Sequence, residues 1–162
     1  MIKLISVINK IKDQKLTLSV AESCTGGKIA SSIVSYEGAS DFFLGGIVSY
    51  SVDSKIRILN IDNQRIEKYG VVSAEIAKEM SIGVKNKFES DISVAVTGNV
   101  GSKSGDGKSA IGKVFIAINF KNKIDTWEFN FNSDRKTNIE STVSNVFSLL
   151  NIILFIFNKL PC

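Results

Sequence analysis

The chain has no histidine, and this absence limits the chemistry that its side chains can perform. A Ser-His-Asp triad and a Cys-His dyad both need an imidazole as proton acceptor, so neither can be built. The usual mixed His/Cys zinc sites are excluded as well, and two cysteines are too few for a cysteine-only zinc site within one chain. Nucleophilic catalysis would therefore need another base, and no metal is expected.

Ser40, Tyr50 and Lys55 are one set of residues that could act without histidine. A lysine whose pKa is lowered by burial or by cationic neighbours can take the proton of a serine hydroxyl. A tyrosine hydroxyl nearby can orient that serine or relay its proton. These residue types are common and their spacing does not bring them together, so the residues alone favour an ordinary structural role.

The segment AESCTGG, residues 21–27, is more specific. A predicted buried strand is followed by small polar residues, two glycines and a helix, which leaves free backbone N–H groups for a phosphate or carboxylate. An ordinary strand-to-helix turn capped by Thr25 explains the segment equally well. Cys24 lies where a helix dipole could lower a thiol pKa, so a cysteine nucleophile with Glu22 or a lysine as base is a rival hypothesis. A small buried thiol is favoured over it, because free cysteine commonly packs as a small hydrophobe.

The loop GSKSGDGKS, residues 101–109, is similar to a P-loop only in its ending. The motif needs a glycine five positions before Gly107, where this chain has Ser102. The element after the loop is predicted to be a strand, whereas a P-loop opens a helix whose N-terminus holds the phosphates. Nucleoside triphosphate binding is therefore not expected here.

The elements that must position these residues are predicted from hydrophobic periodicity. Helices are expected over residues 2–12, from the glycine pair to about 36, over 52–59, after an N-cap at Ser73, and from about Asp134 onward. Strands are expected over residues 16–22, 42–51, 92–98, 113–120 and 125–131, the last two forming a hairpin around 121–124. Residues 37–40 are expected to form a turn and 99–112 a loop. The alternation predicts one α/β domain over residues 1–162, a three-layer α/β/α sandwich with a mixed sheet.

The overall composition is that of an ordinary globular protein, with 44% hydrophobic and 22% charged residues. The net charge is +4, but the lysines are scattered, so nucleic-acid binding is not expected. The apolar run at residues 149–157 is shorter than the roughly 20 residues of a membrane-spanning helix, so we expect it to pack on the core or in a homodimer. The two cysteines could form a disulfide, but a reduced cytoplasmic protein is the simpler hypothesis.

Five segments, in order, resemble the C-terminal domain of the competence/damage-inducible protein A (CinA) family. They are AESCTGG, GASDFFLGGIVSYSVDSK, YGVVSAEIAKEM, VAVTG and IGKVFIAI, and the resemblance runs from about residue 16 to 135. Many members of that family are nicotinamide mononucleotide deamidases, which hydrolyse the carboxamide to give nicotinate mononucleotide and ammonia. The larger N-terminal domain that many members carry is missing here, so the resemblance implies a stand-alone form.

The resemblance also implies roles for particular residues. Ser40 would be the nucleophile, Lys55 in its neutral form its base, and Tyr50 their partner, in a Ser-Lys mechanism through an acyl-enzyme that needs no metal and no cofactor. Cys24 would belong to the binding loop, and Arg135 and the helix start would contact the phosphate. The implied substrate-binding residues are Ser23, Thr25, Gly26, Gly27, Thr97, Gly98 and Arg135.

One loop departs from the family's pattern. Residues 98–102 read GNVGS where the family usually has Gly-Ile-Ala-Gly-Pro, and residues 110–112 read AIG where it has Pro-Val-Gly. The loss of both prolines makes the loop more flexible in the unfolded chain. An inactive nucleotide-binding or partner-binding module is therefore the alternative to an enzyme. A role in DNA uptake or damage response predicts salt-dependent DNA binding, which the scattered lysines disfavour.

Overall fold

A computed structural model describes residues 2–102, 104, 107–121 and 123–159 of the chain. Parts of three sequence predictions lie outside the described residues. They are Lys103, Gly105 and Asp106 of the glycine-rich loop, Asn122 of the hairpin turn, and Cys162 of the possible disulfide.

A five-stranded mixed sheet forms the centre of the domain, in the order β2-β1-β3-β4-β5. The strands are β1 (Leu18–Glu22), β2 (Phe43–Val48), β3 (Ile92–Gly98), β4 (Lys113–Phe120) and β5 (Lys123–Asn130). β1 pairs in parallel with both β2 and β3, while β3 with β4 and β4 with β5 are antiparallel. β1 and β3 are buried along nearly their whole length, as expected of strands covered on both faces.

Six helices cover the two faces of this sheet. They are α1 (Ile2–Asp13), α2 (Lys28–Val34), α3 (Val52–Leu59), α4 (Asn63–Tyr69), α5 (Ala74–Phe88) and α6 (Arg135–Lys159). Apolar side chains of α1, α2 and α6 share one hydrophobic cluster with one face of the sheet. Those of α3, α4 and α5 share a second cluster with the other face. The predicted three-layer α/β/α architecture is therefore confirmed.

The predicted element boundaries hold best where the hydrophobic pattern is strongest. Strand β3 and helix α3 have the predicted limits, and the Ser73 hydroxyl accepts the N–H of Ile76 at the start of α5, as expected. Helix α4 was not predicted, because only one of its seven residues, Ile66, is a buried apolar residue. Its one sequence signal is Asp62, whose carboxylate caps the helix at the N–H of Gln64.

Helix α6 combines a core face with an exposed apolar face. Val146, Leu150 and Leu154 are buried in the cluster shared with α1, as in the core helix of a globular domain. Over Arg135–Phe157, α6 is also long and apolar enough, by length and composition alone, to cross a membrane. Phe155 is half exposed on its outer side. The homodimer expected from residues 149–157 stays a prediction.

Candidate active site

The three parallel strands end at the same edge of the sheet, and a cavity of about 260 Å³ lies there. Ligands of α/β proteins commonly bind at this position, outside the carboxyl ends of parallel strands. Its lining comes from the carboxyl end of β3, from the segments that follow β1, β2 and β3, from the segment before α5, and from the starts of α3 and α6. The lining residues that matter most for the chemistry are Ser23, Cys24, Lys55, Thr97, Asn99 and Arg135.

Lys55 enters this cavity from the buried face of α3. Ser51 and Ser54 form a reciprocal capping box that fixes the start of the helix directly after β2. The Lys55 side chain then lies one turn into the helix, and the residue is only 2% exposed. Burial lowers the pKa of its ammonium group from the ordinary 10.5 to about 8.

Ser23 follows β1 directly and faces Lys55. The Ser23 N–H donates to the carbonyl of Val96, which fixes the residue against β3, the strand beside β1. The Lys55 Nζ lies 3.0 Å from the Ser23 Oγ and 2.7 Å from the Ser49 carbonyl oxygen, with the Tyr50 carbonyl at 3.4 Å. The structure therefore joins a buried lysine with a lowered pKa to a buried serine hydroxyl.

The carbonyl partners of Lys55 determine how its neutral form is oriented. A backbone carbonyl can only accept hydrogen bonds, so the Ser49 and Tyr50 oxygens take the two N–H groups of a neutral amine. The remaining lone pair then faces the Ser23 hydroxyl. This geometry is the one that a general base for Ser23 requires.

Glu22 holds the turn that carries Ser23. Its fully buried carboxylate accepts the N–H groups of Gly27 at 3.0 Å, Ile29 at 3.1 Å and Ala30 at 2.8 Å. Gly27 has a φ of 94°, a left-handed conformation that favours glycine. These N–H groups are the ones expected to bind phosphate, so the structure corrects that expectation: an internal carboxylate already occupies the start of α2.

The predicted binding residues divide into two groups. Ser23, Thr97, Gly98 and Arg135 line the cavity. Thr25, Gly26 and Gly27 form the turn behind Ser23 and are not among the lining residues.

Thr97 and Tyr50 both line the cavity and each makes one side-chain hydrogen bond. The Thr97 hydroxyl donates to the Val71 carbonyl at 2.7 Å, which ties β3 to the segment before α5. The Tyr50 hydroxyl accepts from Arg135 Nη2 at 3.1 Å, and both side chains are exposed to solvent. A Cβ at Gly101 would lie 2.9 Å from Arg135 Nη1, so a glycine there lets the arginine approach closely.

Ser40 is the main correction to the sequence predictions. It lies in a short 3-10 turn at Ala39–Asp41, before the amino end of β2, whereas Lys55 follows the carboxyl end of that strand. The six residues of β2 separate the two ends by roughly 20 Å. Ser40 is exposed and lines a different surface cavity, so the predicted pairing of Ser40 with Lys55 is wrong.

Cys24 lies beside Ser23 but does not have the properties of a nucleophile. The residue is 5% exposed, and burial raises the pKa of its thiol to about 12. Very little thiolate exists at neutral pH, which is the reactive form. The structure therefore favours the small buried thiol over the cysteine nucleophile.

Topology is the sequence signal that points to Ser23. The carboxyl ends of neighbouring parallel strands meet at one edge, so residues directly after β1 and β2 are brought together. Ser23 and Lys55 satisfy this condition, and Ser40 does not. The role of Glu22 was also missed, because a glutamate at the end of a buried apolar strand gives no sign of what its carboxylate contacts.

Comparison with known proteins agrees with this architecture. The family model of the CinA C-terminal domain matches residues 3–154. This chain belongs to the CinA C-terminal domain family. A CinA-like protein of Flavobacterium psychrophilum is 41% identical over 140 residues, 86% of this chain and 34% of that protein. Protein MG115 of Mycoplasma genitalium is 38% identical and is matched over 91% of this chain and 94% of its own length.

Solved structures of CinA-family proteins show the same fold. The competence or damage-inducible protein from Enterobacter asburiae superposes with a TM-score of 0.91 at 30% identity, covering 94% of this chain and 96% of that one. A CinA superfamily protein from Klebsiella pneumoniae gives 0.91 at 26% identity, covering 94% and 95%. This chain spans about a third of the length of several curated relatives that it matches.

Proposed function

We propose that this chain is an amidohydrolase that converts nicotinamide mononucleotide to nicotinate mononucleotide and ammonia, with Ser23 as nucleophile and Lys55 as base. The single observation that carries the proposal is the 3.0 Å contact between Lys55 Nζ and Ser23 Oγ, two buried residues that line the cavity. Membership of the CinA family suggests an amidohydrolase, and the substrate proposed is the one that the family resemblance implies. In this proposal Ser23 takes the role of nucleophile that the resemblance implies for Ser40.

The reaction begins with transfer of the Ser23 hydroxyl proton to neutral Lys55. With a pKa of about 8, about one lysine in ten is neutral at pH 7. The Ser23 oxygen attacks the carboxamide carbon, and the protonated Lys55 then gives its proton to the departing nitrogen, which leaves as ammonia. Lys55 next takes a proton from water, whose oxygen attacks the acyl group. Collapse of that intermediate returns the proton to Ser23 and releases the carboxylic acid.

The developing oxyanion needs hydrogen-bond donors close to Ser23. Within the described part of the chain, the backbone N–H of Cys24, a residue that lines the cavity, donates to no backbone carbonyl. It directly follows the nucleophile, in the turn that the Glu22 carboxylate holds. We assign it as an oxyanion donor, a role in which no backbone acceptor is displaced.

Ammonia release from nicotinamide mononucleotide by the purified chain tests this proposal directly. Rapid quenching and tandem mass spectrometry of the peptide that contains Ser23 and Cys24 should find the acyl group on the serine oxygen. The matched control is Cys24→Ala, which should keep most of the turnover. An acyl group on Cys24, or loss of turnover in Cys24→Ala, contradicts the Ser23 assignment. Binding of nicotinamide mononucleotide without ammonia release would instead indicate the binding module.

A further inference from the structure

The catalytic cavity is lined by cationic side chains without an acidic one. Among the described residues, its lining includes Lys55 and Arg135 but no aspartate or glutamate. Arg135 is exposed to solvent and donates to the Tyr50 hydroxyl, whereas Lys55 is buried. Lys55 takes part in none of the ion pairs found in the described part of the chain. A proton on Lys55 is therefore not compensated by any acid in the cavity.

The elements packed around Lys55 do not supply a negative charge to it either. Cys24, from the turn after β1, keeps its proton at neutral pH because burial raises the pKa of its thiol to about 12. The Glu22 carboxylate is bound by three N–H groups at the start of α2, and Asp53 on α3 pairs with Arg57 at the surface. The lining residues at the end of β3 and before α5 are uncharged, namely Val71, Val72, Thr97, Gly98 and Asn99.

The substrate of the proposed reaction brings another positive charge to this cavity. In nicotinamide mononucleotide the ring nitrogen is bonded to the ribose, so the ring that carries the carboxamide is a pyridinium cation. With the carboxamide carbon about 3–3.5 Å from the Ser23 oxygen, as attack requires, the ring lies within roughly 8 Å of Lys55 Nζ. Two like charges at that distance in a partly buried site disfavour each other by at least about tenfold in an equilibrium constant.

We infer that binding of the cationic ring releases a proton from Lys55 to the solvent, so that the substrate itself generates the neutral base. This inference rests on the proposed function, because the carboxamide must lie at Ser23. The amine keeps its two carbonyl acceptors, and its freed lone pair faces the Ser23 hydroxyl. At pH 7 the neutral fraction of Lys55 should rise from about one in ten to at least about half. An uncharged ring of the same shape would leave Lys55 mostly protonated.

The test is calorimetric titration of the Ser23→Ala variant at pH 7.5 in buffers of different ionisation enthalpy, which counts the protons released. Nicotinamide mononucleotide should release about half a proton per molecule bound. The matched ligand is its reduced form, which has the same carboxamide, ribose and phosphate on an uncharged dihydropyridine ring and should release almost none. Adding Lys55→Met should abolish the difference between the two ligands, and adding Lys12→Met should preserve it. Equal proton release with both ligands overturns the inference.

The kinetics of the unmodified chain supply a second measurement. The pH dependence of kcat reports ionisations in the substrate complex, and that of kcat/KM reports those of the free protein. Half-maximal kcat should therefore lie at least about one pH unit below half-maximal kcat/KM. Coincident profiles overturn the inference. Proton release that depends on the ring charge, without ammonia release, would support the coupling and contradict the proposed function. Ammonia release without that proton release would support the function and contradict the coupling.

Discussion

The two ends of strand β2 carry the same four kinds of side chain in different surroundings. At the carboxyl end are Ser23, Lys55, Glu22 and Tyr50, and at the amino end are Ser40, Lys12, Asp41 and Tyr36. Lys55 and Glu22 are buried, whereas the Lys12 and Asp41 side chains are 40% and 60% exposed and pair with each other.

Burial is the main physical difference between the two ends of β2. An exposed lysine is hydrated by water and can form a surface ion pair with a neighbouring acid. A buried lysine without an acid close to it loses part of the stability of its charged form, which lowers its pKa toward neutrality. The same residue types therefore form a surface ion pair at one end and a buried contact between Lys55 and Ser23 at the other.

Replacing the serine at each end should give the largest contrast. Ser23→Ala removes the attacking oxygen and should reduce kcat for nicotinamide mononucleotide by at least about 10³-fold. Ser40→Ala should change kcat by less than about twofold, because nothing at the amino end contacts the reacting atoms. Ammonia release measures both. Equal effects of the two substitutions would remove the distinction between the ends.

Replacing the two lysines should give the next largest contrast. Lys55→Met removes the base and should lower kcat/KM by about 10²- to 10⁴-fold, whereas Lys12→Met at the amino end should leave it unchanged. In the unmodified chain, kcat/KM should rise about tenfold per pH unit below pH 8 and level off above it. The neutral amine is the active form, and its fraction grows until the pH passes the lowered pKa of Lys55.

The free energy of unfolding should also depend on the titration of Lys55. Because the folded pKa of Lys55 is below its unfolded value, the unfolded chain binds more protons above about pH 8, and the free energy of unfolding should rise with pH there. Cys24, whose pKa is raised from 9.0 to about 12, acts in the opposite direction above pH 9. Urea titrations between pH 8 and 9 should show the rise, and Lys55→Met should lack it.

The carboxylates of Glu22 and Asp41 should differ in their contribution to the free energy of unfolding. Glu22→Gln leaves at least one of the buried N–H groups at the start of α2 without an acceptor, and should lower the free energy of unfolding by about 1–3 kcal/mol. Asp41→Asn breaks an exposed ion pair and should cost about 0.2–1 kcal/mol. Urea denaturation with constant m-values measures both. A larger loss in Asp41→Asn would reverse the comparison.

The tyrosines should give the smallest contrast. Tyr50→Phe removes the acceptor of the Arg135 hydrogen bond and should raise KM by about two- to fivefold, since one exposed hydrogen bond is worth about 0.5–1 kcal/mol. Tyr36→Phe at the amino end should leave KM unchanged. Steady-state kinetics with nicotinamide mononucleotide distinguish them, and an effect from Tyr36→Phe alone would count against the location of the site.

The fold was predictable from the sequence because its signals are local. Continuous apolar runs mark β3 and β4, and serine caps mark α3 and α5, so the element order and the layers follow from periodicity. The site was predictable only in part. Lys55, Thr97 and Arg135 do line the cavity, but the partner of Lys55 depends on which strand ends share an edge of the sheet. That information comes from strand pairing over long sequence separations, and the resemblance that implies Ser40 as nucleophile does not contain it.

The internal carboxylate of Glu22 has a consequence for the timing of substrate binding. A binding loop that becomes ordered only when its ligand arrives loses conformational entropy at that moment, which reduces affinity. Here the counter-ion is part of the chain, so the turn with Ser23 is assembled before any substrate is present. Amide hydrogen exchange at Gly27, Ile29 and Ala30 should be slow in the free protein and should change little on saturation with nucleotide.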